Sequence, residues 1–145
     1  MNRCISRKDY LKKYNSNVGY ALYVQDNIKK DDYARLNTGQ IVKIIGIKEN
    51  KLDKKAIYFN IYNEDWCNSA AVENFSENII DLLEVGDFVN GEKVIEVHSD
   101  LGYVFVDKET ELGTKTFCDY QVETILTKEQ YMQNCYKLVD RPADS

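Results

Sequence analysis

The first feature that could support catalysis is a single histidine. His98 is the only histidine in 145 residues and the only conventional general base near neutral pH. Ser99 and Asp100 follow it, but a catalytic triad requires its members at set positions in space, which adjacency in sequence does not supply. A histidine at the end of a predicted strand is usually a polar turn residue. We therefore predict no catalytic residue and a protein that is not an enzyme.

Other polar residues could hold a cation, a phosphate or a metal, but their spacing does not fit such sites. The acidic pairs Asp31-Asp32 and Glu64-Asp65 lack the further oxygen ligands of a calcium loop, so solvated turns are expected there. The glycines are never grouped as in a phosphate-binding loop. The cysteines stand at positions 4, 67, 118 and 135, without C-x-x-C spacing. We expect no metal and no cofactor, and we interpret the cysteines as reduced, mostly buried thiols of a cytoplasmic protein.

A basic loop followed by an aromatic strand is the first candidate binding surface. The lysines of this loop are Lys48, Lys51, Lys54 and Lys55. Aromatic side chains beside lysines can stack on bases while the lysines contact phosphates. The alternation of a strand would place Tyr58 and Tyr62 on one face. If that face is exposed, Tyr58, Tyr62 and Trp66 would be typical anchors for a protein partner, and the alternative is that neighbouring elements cover them.

An acidic run in the middle of the chain is the second candidate. Its carboxylates are Glu73, Glu77, Asp81, Glu84, Asp87, Glu92 and Glu96. The whole chain has a formal net charge of −5, which argues against a general nucleic-acid binder. Carboxylates that share one face could occupy the positively charged channel of a nuclease. We take Glu73, Glu77, Asp81 and Glu84 as partner-binding residues, and a solubilising surface is the alternative.

Capping signals predict helices near both ends of the chain. Ser6-Arg-Lys-Asp9 resembles a capping box and predicts a short helix through about Tyr14. Thr127-Lys-Glu-Gln130 is a second capping box and predicts a helix from Lys128 to about Leu138. Between the first helix and the β-rich middle, Tyr20–Val24 is rich in residues that favour strands, so we predict a short strand there. No stretch is long and apolar enough to predict a membrane span or a membrane partner.

Glycine-punctuated apolar runs predict β-structure in the middle of the chain. Asn90-Gly91 is the strongest hairpin signal, because a type I′ turn needs a positive φ at both central residues. Gly86-Asp87 is a further turn signal. A faint similarity between Val72–Phe75 and Val122–Ile125 suggests that two β-modules follow each other, over about residues 33–77 and 84–126.

These elements predict a mainly β (α+β) fold of two small SH3-like barrel modules with short helices at both ends. Residues 1–32 would hold the N-terminal helix and strand, residues 33–77 the first module, and residues 78–145 the second module with the C-terminal helix. We expect the core to contain Ile41, Ile44, Ile57, Phe59, Val85, Phe88, Val94, Val104, Val106, Val122 and Ile125.

Two strings carry a resemblance to a known family. N-I-I-D-L-L-E-V-G-D-F-V-N-G-E-K-V begins at Asn78, and V-E-T-I-L-T-K-E-Q-Y begins at Val122. They resemble a family of small uncharacterised proteins encoded by phages and prophages of low-GC Gram-positive bacteria, and the likeness extends from about Tyr33 to Tyr131. It implies strand orders of the SH3-like or KOW-like kind and an origin in a mobile element. It implies no catalytic residue.

Small phage proteins without active sites often act by stoichiometric binding to a host protein. The resemblance therefore implies a non-enzymatic inhibitor of a host defence protein, such as a CRISPR nuclease, in the cytoplasm of the host cell. The first alternative is a nucleic-acid-binding module that uses Lys48, Lys51, Lys54 and Lys55. The second is a sponge that sequesters a small signalling nucleotide in an oligomer cleft.

Overall fold

The computed structural model describes residues 5–49, 55–58 and 66–135. Within these ranges the chain forms three α-helices and eleven strands, all of whose pairings are antiparallel. The helices are α1 (Arg7–Tyr14), α2 (Asn17–Asn27) and α3 (Lys128–Asn134). Strands outnumber helices, so the predicted α+β class is confirmed. None of the described helices is long and apolar enough to cross a membrane.

The N-terminal segment folds as two consecutive helices. Ser6 caps α1 by accepting a hydrogen bond from the backbone N–H of Asp9, as its sequence predicts, and Asn15 ends α1 with a φ of 50°. The predicted strand at Tyr20–Val24 is wrong, because these residues lie inside α2. Tyr20, Val24 and Ile28 follow one another at the i, i+4 spacing of a helix, and all three are buried. Their β-favouring side chains are outweighed by this packing.

The described residues of the first half form two three-stranded sheets. In the first sheet, β1 (Tyr33–Leu36) lies between β2 (Ile41–Lys43) and β6 (Val72–Ser76). The second sheet has the order β3 (Gly46–Glu49), β4 (Lys55–Tyr58) and β5 (Trp66–Asn68). The pairing of β1 with β6 shifts register between Arg35 and Leu36, so a bulge lies at the centre of the first sheet.

The second half forms a five-stranded sheet with the order β10-β9-β8-β7-β11. Its strands are β7 (Phe88–Val89), β8 (Glu92–His98), β9 (Tyr103–Thr110), β10 (Gly113–Cys118) and β11 (Ile125–Leu126). The predicted hairpin at Asn90-Gly91 is confirmed, with φ angles of 52° and 81° that a type I′ turn requires. The second capping box is also confirmed, because Thr127 and Gln130 exchange hydrogen bonds at the start of α3.

Two hydrophobic cores stabilise the part of the chain that the structure describes. The first packs α2 against the β2-β1-β6 sheet and contains Tyr20, Val24, Ile28, Ala34, Leu36, Val42, Ile44, Val72 and Phe75. The second lies on one face of the five-stranded sheet and contains Ile80, Leu83, Val89, Val94, Val104, Val106 and Phe117. No described sheet combines strands from both halves of the chain. The described sheets do not close into a barrel. The predicted division into two modules stays a prediction.

Most predicted core residues that the structure describes lie in or against these cores. Ile44, Val94, Val104 and Val106 are fully buried. Ile41, Val122 and Ile125 are partly buried against the second core, and Phe88 is also partly buried. Val85 was predicted wrongly, since it is 56% exposed in the turn that precedes β7. The side chain of Ile57 and the whole of Phe59 lie outside the described part of the structure.

Candidate functional site

An open groove of about 620 Å³ lies where α1, β6, the 3₁₀ turn Ile79–Leu82, the end of β8 and the start of α3 meet. Its charged lining consists of the carboxylates Asp9, Glu73, Asp81 and Glu84 and the ammonium groups of Lys8 and Lys128. Four carboxylates against two lysines give a net charge of −2. We call this site the acidic groove. It brings together three of the four acidic residues that the sequence predicts as partner-binding, namely Glu73, Asp81 and Glu84.

The α1 side of the groove is fixed by Arg7. Its guanidinium donates to the backbone oxygens of Ala70 and Val72 at 2.6 and 3.0 Å, which ties α1 to the start of β6. The same side chain lies 3.4 Å from the carboxylate of Glu73 and over the ring of Tyr20 at 5.0 Å. Glu73 is therefore held at the groove wall by an ion pair, with 40% of its side chain still exposed.

The far wall is the 3₁₀ turn that follows β6. Asn78 caps this turn by accepting a hydrogen bond from the N–H of Ile80. The hydroxyl of Ser76 donates to the carboxylate of Asp81 at 2.6 Å, and the side-chain amide of Asn74 donates to the Asp81 backbone oxygen at 3.2 Å. Asp81 thus has a defined orientation. Apolar surface beside these carboxylates comes from Leu83, Val85 and Val97.

A buried ion cluster, the Arg35 clasp, lies behind Glu84. The guanidinium of Arg35 donates to both carboxylate oxygens of Asp87, at 2.6 and 2.9 Å, and to the Leu82 backbone oxygen at 3.0 Å. It also contacts Glu129 at 2.6 Å and Glu84 at 3.4 Å. The side chains of Arg35 and Asp87 are 2% and 0% exposed. Burial opposes the charge of Arg35, but its hydrogen bonds and attraction to Asp87 raise the pKa of the guanidinium above its ordinary value.

Asp87 is one of the carboxylates that the sequence predicts for a possible binding surface. This interpretation is wrong, because Asp87 is buried and has a structural role. Besides pairing with Arg35, its carboxylate accepts hydrogen bonds from the backbone N–H groups of Glu84 and Lys128, at 2.7 and 2.9 Å. One carboxylate therefore joins β1, the turn before β7 and the start of α3. Arg35 itself was not predicted from the sequence. The available signal was an arginine between the apolar residues Ala34 and Leu36 in a short strand.

The remaining acidic residues lie away from the groove. Glu77 and Glu96 are exposed at other positions. Glu92 pairs with Lys108 at 3.2 Å and with Lys115 at 3.4 Å across the five-stranded sheet. Burial opposes the charge of Glu92, but the hydrogen bond from Lys108 and the charges of both lysines hold the pKa of its carboxyl below its ordinary value. The acidic run is thus divided between the groove, the Arg35 clasp, the lysine pairs of Glu92 and exposed positions elsewhere.

Only part of the predicted basic and aromatic surface is described. Trp66 lies on β5, is 60% exposed, and faces Tyr58 in the strand register. Lys48 is exposed on β3, and Lys55 pairs with Glu49 in the register of β3 with β4. Tyr62, Lys51 and Lys54 lie outside the described residues, as do the side chains of Tyr58 and Lys55. The predicted cluster is therefore neither confirmed nor contradicted.

His98 packs against aromatic rings. Its imidazole lies 5.2 Å from the ring of Tyr103 and 5.3 Å from that of Phe105, measured between centroids. Its Nε2 is 3.8 Å from the carboxylate of Glu96 and has no hydrogen-bond partner in the described part of the chain. Among the described residues, no three His, Cys, Asp or Glu side chains are grouped so that they could hold a metal ion.

The described cysteines are unpaired and half-buried. They are Cys67, Cys118 and Cys135. The prediction of mostly buried thiols is therefore met in part, since all three are partly buried, and burial raises the pKa of the Cys67 thiol to about 11. Cys67 packs against the edge of the first core, where a neutral thiol behaves as a small apolar group.

Comparison of the sequence with protein-family models and with curated proteins, and of the structure with solved structures, finds no match.

Proposed function

We propose that this chain is a non-enzymatic inhibitor of phage origin that binds a host protein through the acidic groove. The partner would be a CRISPR effector or another anti-phage defence component in the host cytoplasm. The observation that carries the proposal is the convergence of Glu73, Asp81 and Glu84 on one open groove. Such a groove is complementary to the basic surface with which a nuclease holds nucleic acid.

The lining of the groove suits lysine or arginine side chains of a partner. Their charged ends would meet the carboxylates of Asp9 and Asp81, while their aliphatic stems would pack on Leu83, Val85 and Val97. Opposite charges on the two surfaces would speed association and favour a basic partner over an acidic one. The expected binding is therefore sensitive to ionic strength, because the groove is open to solvent.

Both alternative functions need positive charge at the protein's binding site, because their ligands carry negatively charged phosphates. A nucleotide sponge would have to bind phosphate, and the acidic groove would repel it. A nucleic-acid-binding module would use the exposed Lys48 and Trp66 on the β3-β4-β5 sheet instead.

The SH3-like or KOW-like strand order is likewise retained as a proposal, with the antiparallel β7-β8-β9-β10 meander as its supporting observation.

The test is affinity purification from a host lysate followed by plaque assays on hosts with defined defence systems. The variant E73Q/D81N removes two groove charges while keeping hydrogen-bonding groups of the same shape. The control D107N/E111Q removes two charges from exposed residues of the β9–β10 hairpin. We expect the groove variant to lose partner retention roughly ten-fold and to lose protection of the phage, while the control keeps both.

Equal behaviour of the two double variants would exclude the groove as the binding site. Absence of any protein partner and of any effect on plaque formation would contradict the proposed function. Retention of a nucleic acid that weakens as salt is raised, measured by gel shift, would favour the nucleic-acid-binding alternative.

A further inference from the structure

The helix α3 is attached to the rest of the chain mainly by polar contacts. Its seven residues, Lys128–Asn134, include no fully buried side chain. Tyr131 and Met132 are 46% and 55% exposed. The ring of Tyr131 lies 5.2 Å from that of Phe88, which is itself only partly buried. Little apolar area therefore holds α3 in place, and burial of apolar area is what usually fixes a helix to a core.

Two ion pairs, together with the hydrogen bond from the Lys128 backbone N–H to Asp87 at 2.9 Å, supply much of the remaining attachment. Lys128 contacts Glu84 at 2.6 Å, and both side chains are 46% exposed. Glu129 contacts Arg35 at 2.6 Å, and the Glu129 side chain is 36% exposed. The Lys128–Glu84 pair is open to solvent on both sides, so it is weak and is screened by salt. The Glu129–Arg35 pair is exposed only on its Glu129 side, because the Arg35 side chain is 2% exposed. The Arg35–Asp87 pair is fully buried and is screened much less.

The surface under α3 is shaped to receive it closely. Gly39 has a φ of +88°, and a Cβ at this position would lie 2.5 Å from the Cβ of Glu129 and 2.8 Å from the hydroxyl of Thr127. The side-chain amide of Gln133 donates to the Thr38 backbone oxygen at 3.0 Å. The turn at residues 37–39 therefore forms the surface on which α3 packs, and we call it the seat of α3. Only a glycine at position 39 leaves room for this contact.

Lys128 connects α3 to the acidic groove, because its side chain is part of both. In the attached position its ammonium group neutralises Glu84 at the groove wall. The hydrogen bond to Glu84 also raises the pKa of Lys128, so this ammonium group stays charged across the neutral range. Detachment of α3 would remove Lys128 and change the groove lining from a net charge of −2 to −3, since one of its two lysines would leave.

We infer that α3 is a strap, by which we mean a helix that high salt detaches from the rest of the folded chain. We also infer that its attachment sets the net charge of the acidic groove. The part of this inference that concerns the groove rests on the proposed function. In the attached state Lys128 forms an ion pair with Glu84, so a basic side chain of a partner must compete with Lys128 for that carboxylate. In the released state Glu84 is available to the partner, while the two hydrophobic cores and the Arg35–Asp87 pair remain folded.

Hydrogen–deuterium exchange of the full chain tests the strap. We expect exchange at the amides of Tyr131 to Asn134 to accelerate as NaCl is raised from about 0.01 M to about 1 M, while the amides around the buried residues of β8 and β9, Val94, Val104 and Val106, keep their rates. The variant K128M should speed α3 exchange roughly two- to five-fold at low salt, and this difference should shrink at high salt. The matched control K108M breaks the exposed pair of Lys108 with Glu92 and should leave α3 unchanged.

Two exchange results would overturn the strap. One is an exchange rate of α3 that does not change with salt concentration and equals the rate of β8 and β9. The other is acceleration of α3 and the core strands in parallel, since both results mean that α3 opens only with the whole fold.

Binding of hexalysine, measured by calorimetry, tests the effect on the groove. K128M and K108M carry the same net charge, so they differ only in where the lysine was lost. We expect K128M to bind hexalysine roughly two- to five-fold more tightly than K108M, because Glu84 is freed. Equal affinities would overturn the link between α3 and the groove. Failure of all forms to bind would contradict the proposed function, and the exchange result alone would then decide whether α3 is a strap.

Discussion

Two ionic clusters in this chain each pair one central charge with several opposite charges, but they differ in how deeply they are buried. In the Arg35 clasp, one cation collects the carboxylates of Asp87, Glu84 and Glu129, and its central pair is 2% and 0% exposed. In the second cluster, one anion, Glu92, collects Lys108 and Lys115, whose side chains are 56% and 34% exposed. Loss of Arg35 leaves the fully buried carboxylate of Asp87 without its counter-ion, whereas loss of one lysine leaves Glu92, whose side chain is 18% exposed, still paired with the other lysine. Burial, and not the number of ion pairs, therefore decides which cluster the fold depends on.

The clusters also differ in what they join. Arg35 and Glu129 are 94 positions apart in sequence, and Asp87 adds hydrogen bonds from two further backbone N–H groups. The clasp thereby connects the first sheet, the turn before β7 and α3. The Glu92 cluster joins only β8, β9 and β10, which are already neighbours in one sheet. The first cluster therefore defines a tertiary junction, and the second supports a sheet that its own hydrogen bonds already hold.

The largest expected effect comes from removing the buried cation. Arg35→Met should lower the free energy of unfolding by about 3–5 kcal/mol, because the carboxylate of Asp87 is then left buried without its counter-ion. Chemical denaturation followed by circular dichroism measures this change. A loss below about 1 kcal/mol would mean that the clasp is no more important than a surface pair.

The double variant R35M/D87N separates the ion pair from the shape of the site. It removes both charges, and the single amide oxygen introduced by D87N keeps an acceptor for only one of the two backbone N–H groups, those of Glu84 and Lys128, that bond to separate oxygens of Asp87. We expect it to be more stable than Arg35→Met alone, because no charge is left uncompensated in the interior. If the double variant is the less stable of the two, the main contribution of Arg35 is packing and not charge.

An intermediate effect is expected from Gly39→Ala, which acts on the seat of α3 beside the clasp. The substitution places a Cβ against Glu129 and also occupies a φ of +88°, so it combines a steric clash with backbone strain. Gly102→Ala is the matched control, because Gly102 has a φ of +79° but open space around its Cβ position. We expect a loss of about 1–3 kcal/mol for Gly39→Ala and a smaller loss for the control. Equal losses in thermal denaturation would show that contact with α3 contributes nothing.

The parts of the fold that the sequence predicts are those encoded by neighbouring residues. The Ser6 and Thr127 caps and the Asn90-Gly91 turn satisfy their hydrogen bonds or φ angles within four residues, so they are visible without any tertiary information. The helix at Tyr20–Val24 was missed because burial of its face overrides the intrinsic preference of tyrosine and valine for strands.

The candidate site was only partly predictable for the same reason. A count of carboxylates finds the acidic run, but it cannot tell a surface residue such as Glu73 from a buried one such as Asp87. That distinction depends on Arg35, which lies 52 positions from Asp87 and which local pattern does not connect to it. The groove emerges only when α1, β6 and the start of α3 are brought together.

The smallest expected effect comes from the cluster of Glu92 with Lys108 and Lys115. The pH dependence of stability shows whether this cluster stabilises the fold. The two lysines hold the pKa of Glu92 below its ordinary value in the folded chain. The folded carboxylate therefore stabilises the protein at pH values above its unfolded pKa, and this contribution is lost as the pH falls through the lower folded pKa. Glu92→Gln should consequently lower the melting temperature slightly at about pH 7, and the difference from the unsubstituted chain should shrink as the pH falls below the ordinary glutamate pKa and disappear once the pH is below the lower folded pKa. High salt should also remove it, since Lys108 is mostly exposed. A difference as large as that of Arg35→Met, or one that grows as the pH falls, would show that the exposed cluster is not the weaker of the two.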